Sequence, residues 1–316
     1  MIKKFIPFLL LLLLAFSFIS CEEGKSREEN EGISIVTTVF PQYDFAKKLT
    51  EGTAASVKML IPAGSEAHSY DPTPADMIAA AKSDLFIWVG GESEAWAEKI
   101  IKSTLTDKTR VIALMDLVTL LESDSGHEHD YEHNGGEDHD HSHDEHVWTS
   151  PKNAIKMVYA ISDTLCEIDS QNAHIYKKNA EEYVASLTQL DAEFEALAAD
   201  IGSRPVIIGD RFPFVYLSNA YGLKFVSPFK GCSSHTEASV ADMASVIETA
   251  RDNGAKTVYS VDFSNEKMAK SIAGEISAEV SRLYSCHTAS GEDMDAGNGY
   301  IEIMKKNLTA LLRAYE

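Results

Sequence analysis

Seven of the eleven histidines fall in one stretch, HEHDYEHNGGEDHDHSHDEHVW (127–148), together with eight acidic residues. Neutral imidazole and carboxylate both ligate first-row divalent metals, so His127, His129, His133, His139, His141 and His143 read as weak accessory metal sites. A tract with so few apolar side chains cannot offset the entropy of ordering its backbone, and it reads as a mobile loop. The alternative is a solvated acidic loop that is merely rich in histidine. His146 differs from the others. It is followed by apolar Val147 and Trp148, then by Ser150 as a helix cap and Pro151 as the first helical residue, so the loop ends where one histidine enters an ordered site.

A second candidate lies in PAGSEAHSYDPTPADM, where Pro62, Gly64, Pro72 and Pro74 shape a rigid turn around Glu66 and His68. A lone loop histidine is more often a surface residue than a ligand, but metal ligands must be held in place, and this frame holds. Three cysteines follow the leader. Cys166 lies on the apolar stripe of a helix and reads as a packing residue, whereas Cys232 and Cys286 both follow strands of the second half. In an oxidising compartment these two read as a disulfide, the alternative being a pair of soft thiolate zinc ligands.

The elements that must position these residues alternate along the chain. Apolar, β-branched runs at 33–40, 55–61, 85–90 and 111–115, and again at 206–209, 224–229, 257–262 and 282–286, are mostly separated by helical patterns. Such alternation implies parallel sheets covered on both faces, where ligands bind at the carboxyl ends of strands. The expected fold is α/β, with two lobes that each hold a roughly four-stranded parallel sheet flanked by helices. Between them, Tyr176, Ala180, Tyr183, Leu187, Leu190, Phe194, Leu197 and Ile201 recur at helical spacing, with Gly202 as the stop. That stripe predicts one long rigid linking helix over 172–201, the alternative being an ordinary core helix of a single large domain. The expected boundaries are an N-terminal lobe over 33–171, which includes the His-rich loop 122–146, and a C-terminal lobe over 202–316.

The N-terminus sets the compartment. Lys3 and Lys4 precede an apolar run from Phe5 to Ile19, too short to span a bilayer, so 1–20 reads as an export signal. FISC resembles a lipoprotein cleavage box with Cys21 as the lipidated residue, and 21–32 reads as a flexible tether. Without Lys3 and Lys4, 26 basic residues face 49 acidic ones. A surface so acidic excludes nucleic acid and anionic lipid headgroups as partners and favours cations.

IPAGSEAHSYDPTPADM, an acidic His-rich insertion, DEHVWTSPKNA, the linking helix and NGYIEIMKKNLTALL resemble, in order, the zinc/manganese solute-binding lipoproteins of bacterial ABC importers. The resemblance implies two α/β lobes joined by a rigid helix with one divalent metal between them, and it places His68 and His146 on the first two ligand positions. The His-rich insertion favours Zn²⁺ over Mn²⁺ as the transported ligand. At the third position the chain has Arg211, in GDRFPFVYLSNAYGL, and a guanidinium has no lone pair to donate. On the fourth, His287 falls at or near the ligand position. The implied set is therefore His68, His146 and His287, completed by water or by a carboxylate from Glu66 or Asp210, with Arg211 pairing with Asp210 or Glu237 to hold the cleft closed. The implied function is an extracytoplasmic, lipid-anchored, monomeric receptor that delivers metal to an ABC permease and is not an enzyme. A metal-dependent enzyme of the cell envelope is the alternative, but no HExxH helix or nucleophile motif is present. An adhesin or metal-buffering lipoprotein on the same fold is a third reading.

Overall fold

The structure is a computed structural model that describes residues 32–65, 70–123, 143–229 and 238–314. The leader, Cys21 and the tether up to residue 31 lie outside the described residues. The first half builds β1 (Ser34–Thr37), α1 (Phe40–Leu49), β2 (Ser56–Met59), α2 (Pro74–Ala81), β3 (Leu85–Trp88), α3 (Ala95–Ser103) and β4 (Arg110–Ala113). Its strands form a parallel sheet in the order β2-β1-β3-β4. After α4 (Pro151–Ile168) and α5 (Ala173–Ile201) the second half repeats the scheme. It runs through β5 (Val206–Ile208), α6 (Val215–Tyr221), β6 (Phe225–Val226), α7 (Val240–Asp252), β7 (Thr257–Val261), α8 (Lys267–Ile276) and β8 (Glu279–Leu283). The order β6-β5-β7-β8 is again parallel. Two further helices, α9 (Gly291–Asp295) and α10 (Tyr300–Arg313), close the fold.

Both strand orders reverse direction between the first and third strands, which opens a crevice at the carboxyl ends of β1 and β3 and of β5 and β7. Strand alternation explains the continuous apolar runs. Ile35, Ile87, Ile208 and Tyr259 face one core shared by both lobes, while Val36 and Phe86 face an outer cluster of the first lobe and Ile207 and Val258 one of the second. The strands are shorter than their apolar runs. Val39 and Phe40 leave β1 because the Gln42 carboxamide oxygen accepts the N–H groups of Thr38 and Val39 at 3.2 and 2.9 Å and starts α1. The last strand lies three residues earlier than its apolar pattern predicts, at 279–283, where Glu279 to Leu283 pair with Thr257 to Val261. Residues 284–286 are thereby freed to turn.

The linking helix α5 has the expected stripe: all eight named residues are buried, together with Val184. It is tied to both ends of the chain by one carboxylate. Asp44 of α1 is buried and accepts hydrogen bonds from the Tyr183 hydroxyl of α5 at 2.7 Å and from the Tyr300 N–H that begins α10 at 3.0 Å. A Cβ at Gly299 would stand 2.7 Å from Asp44 Oδ1, so glycine is required for the carboxylate to reach that helix end. Burial pushes the Asp44 carboxyl up, against these hydrogen bonds.

Asp44→Ala leaves the Tyr183 hydroxyl and Tyr300 N–H without their acceptor inside a dry contact, and should cost about 3 kcal/mol or more. Tyr183→Phe removes one of the two bonds and should cost about 1 kcal/mol. Urea denaturation of both variants, followed by circular dichroism, measures the difference.

Candidate metal centre

The His-rich insertion leaves and re-enters the fold at one neck. Glu122 and His143 form an antiparallel bridge, and the Asp144 N–H donates to the Leu121 carbonyl at 2.9 Å. The Tyr216 hydroxyl, from α6 of the second lobe, donates to the Asp144 carbonyl at 3.0 Å and accepts the Leu121 N–H at 3.1 Å. His143 is exposed at this neck, while His127, His129, His133, His139 and His141 lie outside the described residues.

The next three residues each have a separate task. Asp144 is buried, and its Oδ1 accepts the His146 N–H at 2.9 Å and faces His146 Nδ1 at 3.2 Å. That contact places the ring proton on Nδ1 and makes Nε2 the nitrogen that can ligate. Glu145 reaches the other way: its carboxylate accepts the Ser93 N–H at 2.9 Å and also binds the Ser93 hydroxyl. A Cβ at Gly91 would lie 2.1 Å from the Glu145 carboxyl carbon, so this docking needs glycine there. His146 itself is 3% exposed.

Trp148, fully buried in the short 3-10 turn that follows, crosses to the second lobe. Its indole N–H donates to the Ser285 carbonyl at 2.9 Å, and its own carbonyl accepts the Tyr300 hydroxyl at 2.7 Å. Beyond Ser285 the backbone turns through a left-handed Cys286, φ 58°, and presents His287. The His146 and His287 ring centroids are 5.4 Å apart, with Trp148 5.5 Å from the first and 5.1 Å from the second. With a zinc–nitrogen bond of about 2.1 Å a ring centroid sits about 3.2 Å from the metal, so two imidazoles at a tetrahedral angle have centroids about 5 Å apart. The observed 5.4 Å is close to that spacing.

Both histidines line a cavity of 570 Å³ between the carboxyl ends of the two sheets, with Gly64 and Ser65 from the first lobe and Asp210, Arg211 and Asp262 from the second. The rim is clasped by one amide, because the Gly64 N–H donates to the Ala289 carbonyl at 2.8 Å and to the Thr288 hydroxyl at 2.9 Å. Glu66 and His68, which continue the chain from Ser65, lie outside the described residues. Among the described residues no group of three or more His, Cys, Asp or Glu side chains is placed to hold a metal. Asp210 braces the second sheet instead: Oδ1 accepts the Arg211 N–H at 2.9 Å and Oδ2 the Val261 N–H at 3.2 Å.

Cys286, expected in a disulfide, is a free thiol turned into the core by its left-handed backbone, and burial pushes its pKa up. Its expected partner Cys232, like Glu237, lies outside the described residues. Cys166 is half-buried and not fully packed away, with its thiol directed at the Ala173 carbonyl.

Sequence reasoning missed Asp144, Glu145 and Asp262. The D-x-H spacing was the available signal for Asp144, since an aspartate readily accepts the N–H two residues on. Asp262 has no local signal. It directly follows β7, accepts the Ser285 N–H at 2.7 Å and so shapes the turn that carries His287. Burial pushes its carboxyl up to about 6, against the Ser285 hydrogen bonds, which pull it down.

The matching family model is that of ZnuA, the periplasmic component A of the zinc-uptake complex, and it covers residues 35–314. The chain belongs to the ZnuA family. It is 33% identical over 300 residues to the high-affinity zinc uptake system protein ZnuA of Bacillus subtilis, which covers 95% of this chain and 93% of that protein. It is 31% identical to the zinc-binding lipoprotein AdcA of Streptococcus pneumoniae over 98% of this chain, and spans 60% of AdcA's length. The Zn(II)-bound structure of the ZnuA-like domain of that AdcA superposes with a TM-score of 0.72 at 29% identity, covering 90% of this chain and 99% of that domain. The two-lobe fold with its long helix is that of the ZnuA family.

Beside the Glu145 latch, Glu94 is completely buried; its Oε2 accepts the Val89 N–H at 2.7 Å. Burial pushes its pKa from 4.5 up to about 7, opposed by hydrogen bonds from Thr38 and Val89 and assisted by the Glu145 charge. In that window the native state keeps a proton that the unfolded state releases. The stability from Glu94 should therefore be full below pH 4.5 and lost by about pH 7. The amplitude is on the order of 3 kcal/mol. Urea denaturation of the metal-free protein across this range should show the decline, and Glu94→Gln, which keeps an acceptor for Val89, should flatten it.

Proposed function

We propose that this chain is an extracytoplasmic receptor that captures Zn²⁺ between its two lobes and delivers it to the permease of an ABC importer. The observation that carries the reading is the convergence of His146 and His287, one from each lobe, at a spacing that suits one zinc ion. Membership of the ZnuA family and the zinc-binding names of its relatives support the same cargo. His68 supplies a third nitrogen: Gly64 and Ser65 already line the cavity, so the chain runs into residues 66–69 from its rim. Three neutral imidazoles and one oxygen make a tetrahedral shell that suits zinc better than manganese. The chain acts by binding and release, without catalysis. Cys21 is its lipid anchor, and 21–32 tethers a monomeric body at the membrane surface.

The His-rich insertion collects metal weakly and raises its concentration near the cleft. Release proceeds by small lobe tilts and ordering of loops, because α5, Asp44 and Trp148 oppose a wide hinge.

Calorimetric titration with Zn²⁺ tests the site. His68→Ala, His146→Ala and His287→Ala should each weaken the tight site at least tenfold, about 1.4 kcal/mol. A titration in which all three variants match the parent would sink the reading. Replacing residues 124–142 by a short glycine turn should remove the weak sites at His127, His129, His133, His139 and His141 and keep the tight one. That boundary spares His143 and Asp144, which form the neck.

A further inference from the structure

Phe263 holds a backbone conformation that its own side chain opposes. The Ser264 N–H donates to the Val261 carbonyl at 3.2 Å, which closes a four-residue turn at the carboxyl end of β7. Phe263 is the third residue of that turn, at φ 62°. Turns with positive φ at this position normally take glycine or asparagine, because a Cβ crowds the backbone there, and a bulky side chain is strained. Three other described residues besides glycine share a positive φ. Glu266 and Ser277 cap α8, and Cys286 makes the turn that presents His287. Phe263 caps no helix, so its strain has another reason.

Core packing is not that reason. Phe263 is 53% exposed, yet it lines the cavity shared by His146 and His287, so its ring stands where that cavity meets solvent. From there it reaches the opposite lobe. A Cβ built on Gly64 would lie 3.7 Å from Phe263 Cε1, an ordinary contact distance, so the ring edge rests over that glycine. Gly64 is a fixed edge, since its N–H is held by Ala289 and Thr288 and its φ of 74° requires glycine.

We propose that Phe263 gates the cleft: its ring, laid across the rim at Gly64, slows entry and exit of the metal. Return of Phe263 to negative φ, by a flip of the peptide before it, gives the commoner form of such turns and carries the ring off Gly64. The turn therefore has a strained state with the rim covered and a relaxed state with the rim open, and the strain keeps the first from being locked. The ring acts on rates and donates no ligand, so it leaves the metal's coordination shell unchanged. The inference rests on the zinc-receptor reading and names the residue that times release within the small motions of lobes and loops.

Stopped-flow mixing of the zinc-loaded full chain with excess chelator measures dissociation, and mixing of the metal-free chain with Zn²⁺ measures association. Phe263→Ala should raise both rate constants at least about fivefold and change Kd by less than about threefold, because a gate affects both directions alike. Phe263→Tyr, which keeps the ring, should exchange zinc as the parent does. Phe263→Gly should exchange as fast as Phe263→Ala, and its metal-free form should unfold at a higher urea concentration than that of Phe263→Ala, because glycine also relieves the strain. If Phe263→Gly and Phe263→Ala exchange zinc at the parent's rates, or weaken binding through dissociation alone, the gate is overturned while the receptor reading stands. If the parent chain does not bind Zn²⁺, the receptor reading fails and the gate with it.

Discussion

The hydrogen bond from the Trp148 indole to the Ser285 carbonyl is the constraint on which the site depends. Trp148 is two residues from His146, and Ser285 is two residues from His287. One 2.9 Å contact between the lobes therefore fixes where both imidazoles stand. The bond is buried, so breaking it without replacement leaves two polar groups dry, which costs far more than a surface bond. The same residue accepts the Tyr300 hydroxyl and packs against both histidine rings, so a change in lobe angle disturbs all of these contacts together.

Around this contact the fold is closed by polar groups placed between elements distant in sequence. Asp44 joins the first helix, the linking helix and the last helix; Tyr216 joins the second lobe to the neck of the His-rich insertion; Gly64 joins the rim of the first lobe to Thr288 and Ala289. The result is a cleft whose walls are held from three sides while the floor stays polar. Such a frame suits a carrier that must hold a cation in a set geometry and then lose it by modest rearrangement, since small shifts in a packed interface switch contacts rather than bend them.

Within the site, neighbouring residues are divided among different partners. Asp144 turns inward to His146, Glu145 turns outward to Ser93, and His146 faces the cavity. The left-handed Cys286 separates a buried thiol from the imidazole that follows it. An extended backbone also sends successive side chains apart, but the left-handed turn additionally redirects the chain, which lets Asp262 take the Ser285 N–H.

The sequence alone determined what depends on local period and residue chemistry. Eight apolar residues at helical spacing became the buried stripe of α5, alternating strand and helix patterns became two parallel four-stranded sheets, and His146 beside Val147 and Trp148 proved to be the ordered end of the insertion. The early ending of β1 and the shift of β8 to 279–283 escaped that reading, because apolarity marks burial and not which hydrogen-bond partner the backbone takes. The tertiary structure alone decided the parts of the site that no local pattern encodes. Asp262 near His146, the indole of Trp148 on Ser285, and Arg211 in the wall shared by two histidines each join segments far apart in the chain. Their meaning comes from burial, where an unmatched charge or N–H is costly and must find a partner, and a linear sequence does not say which segments will be buried together.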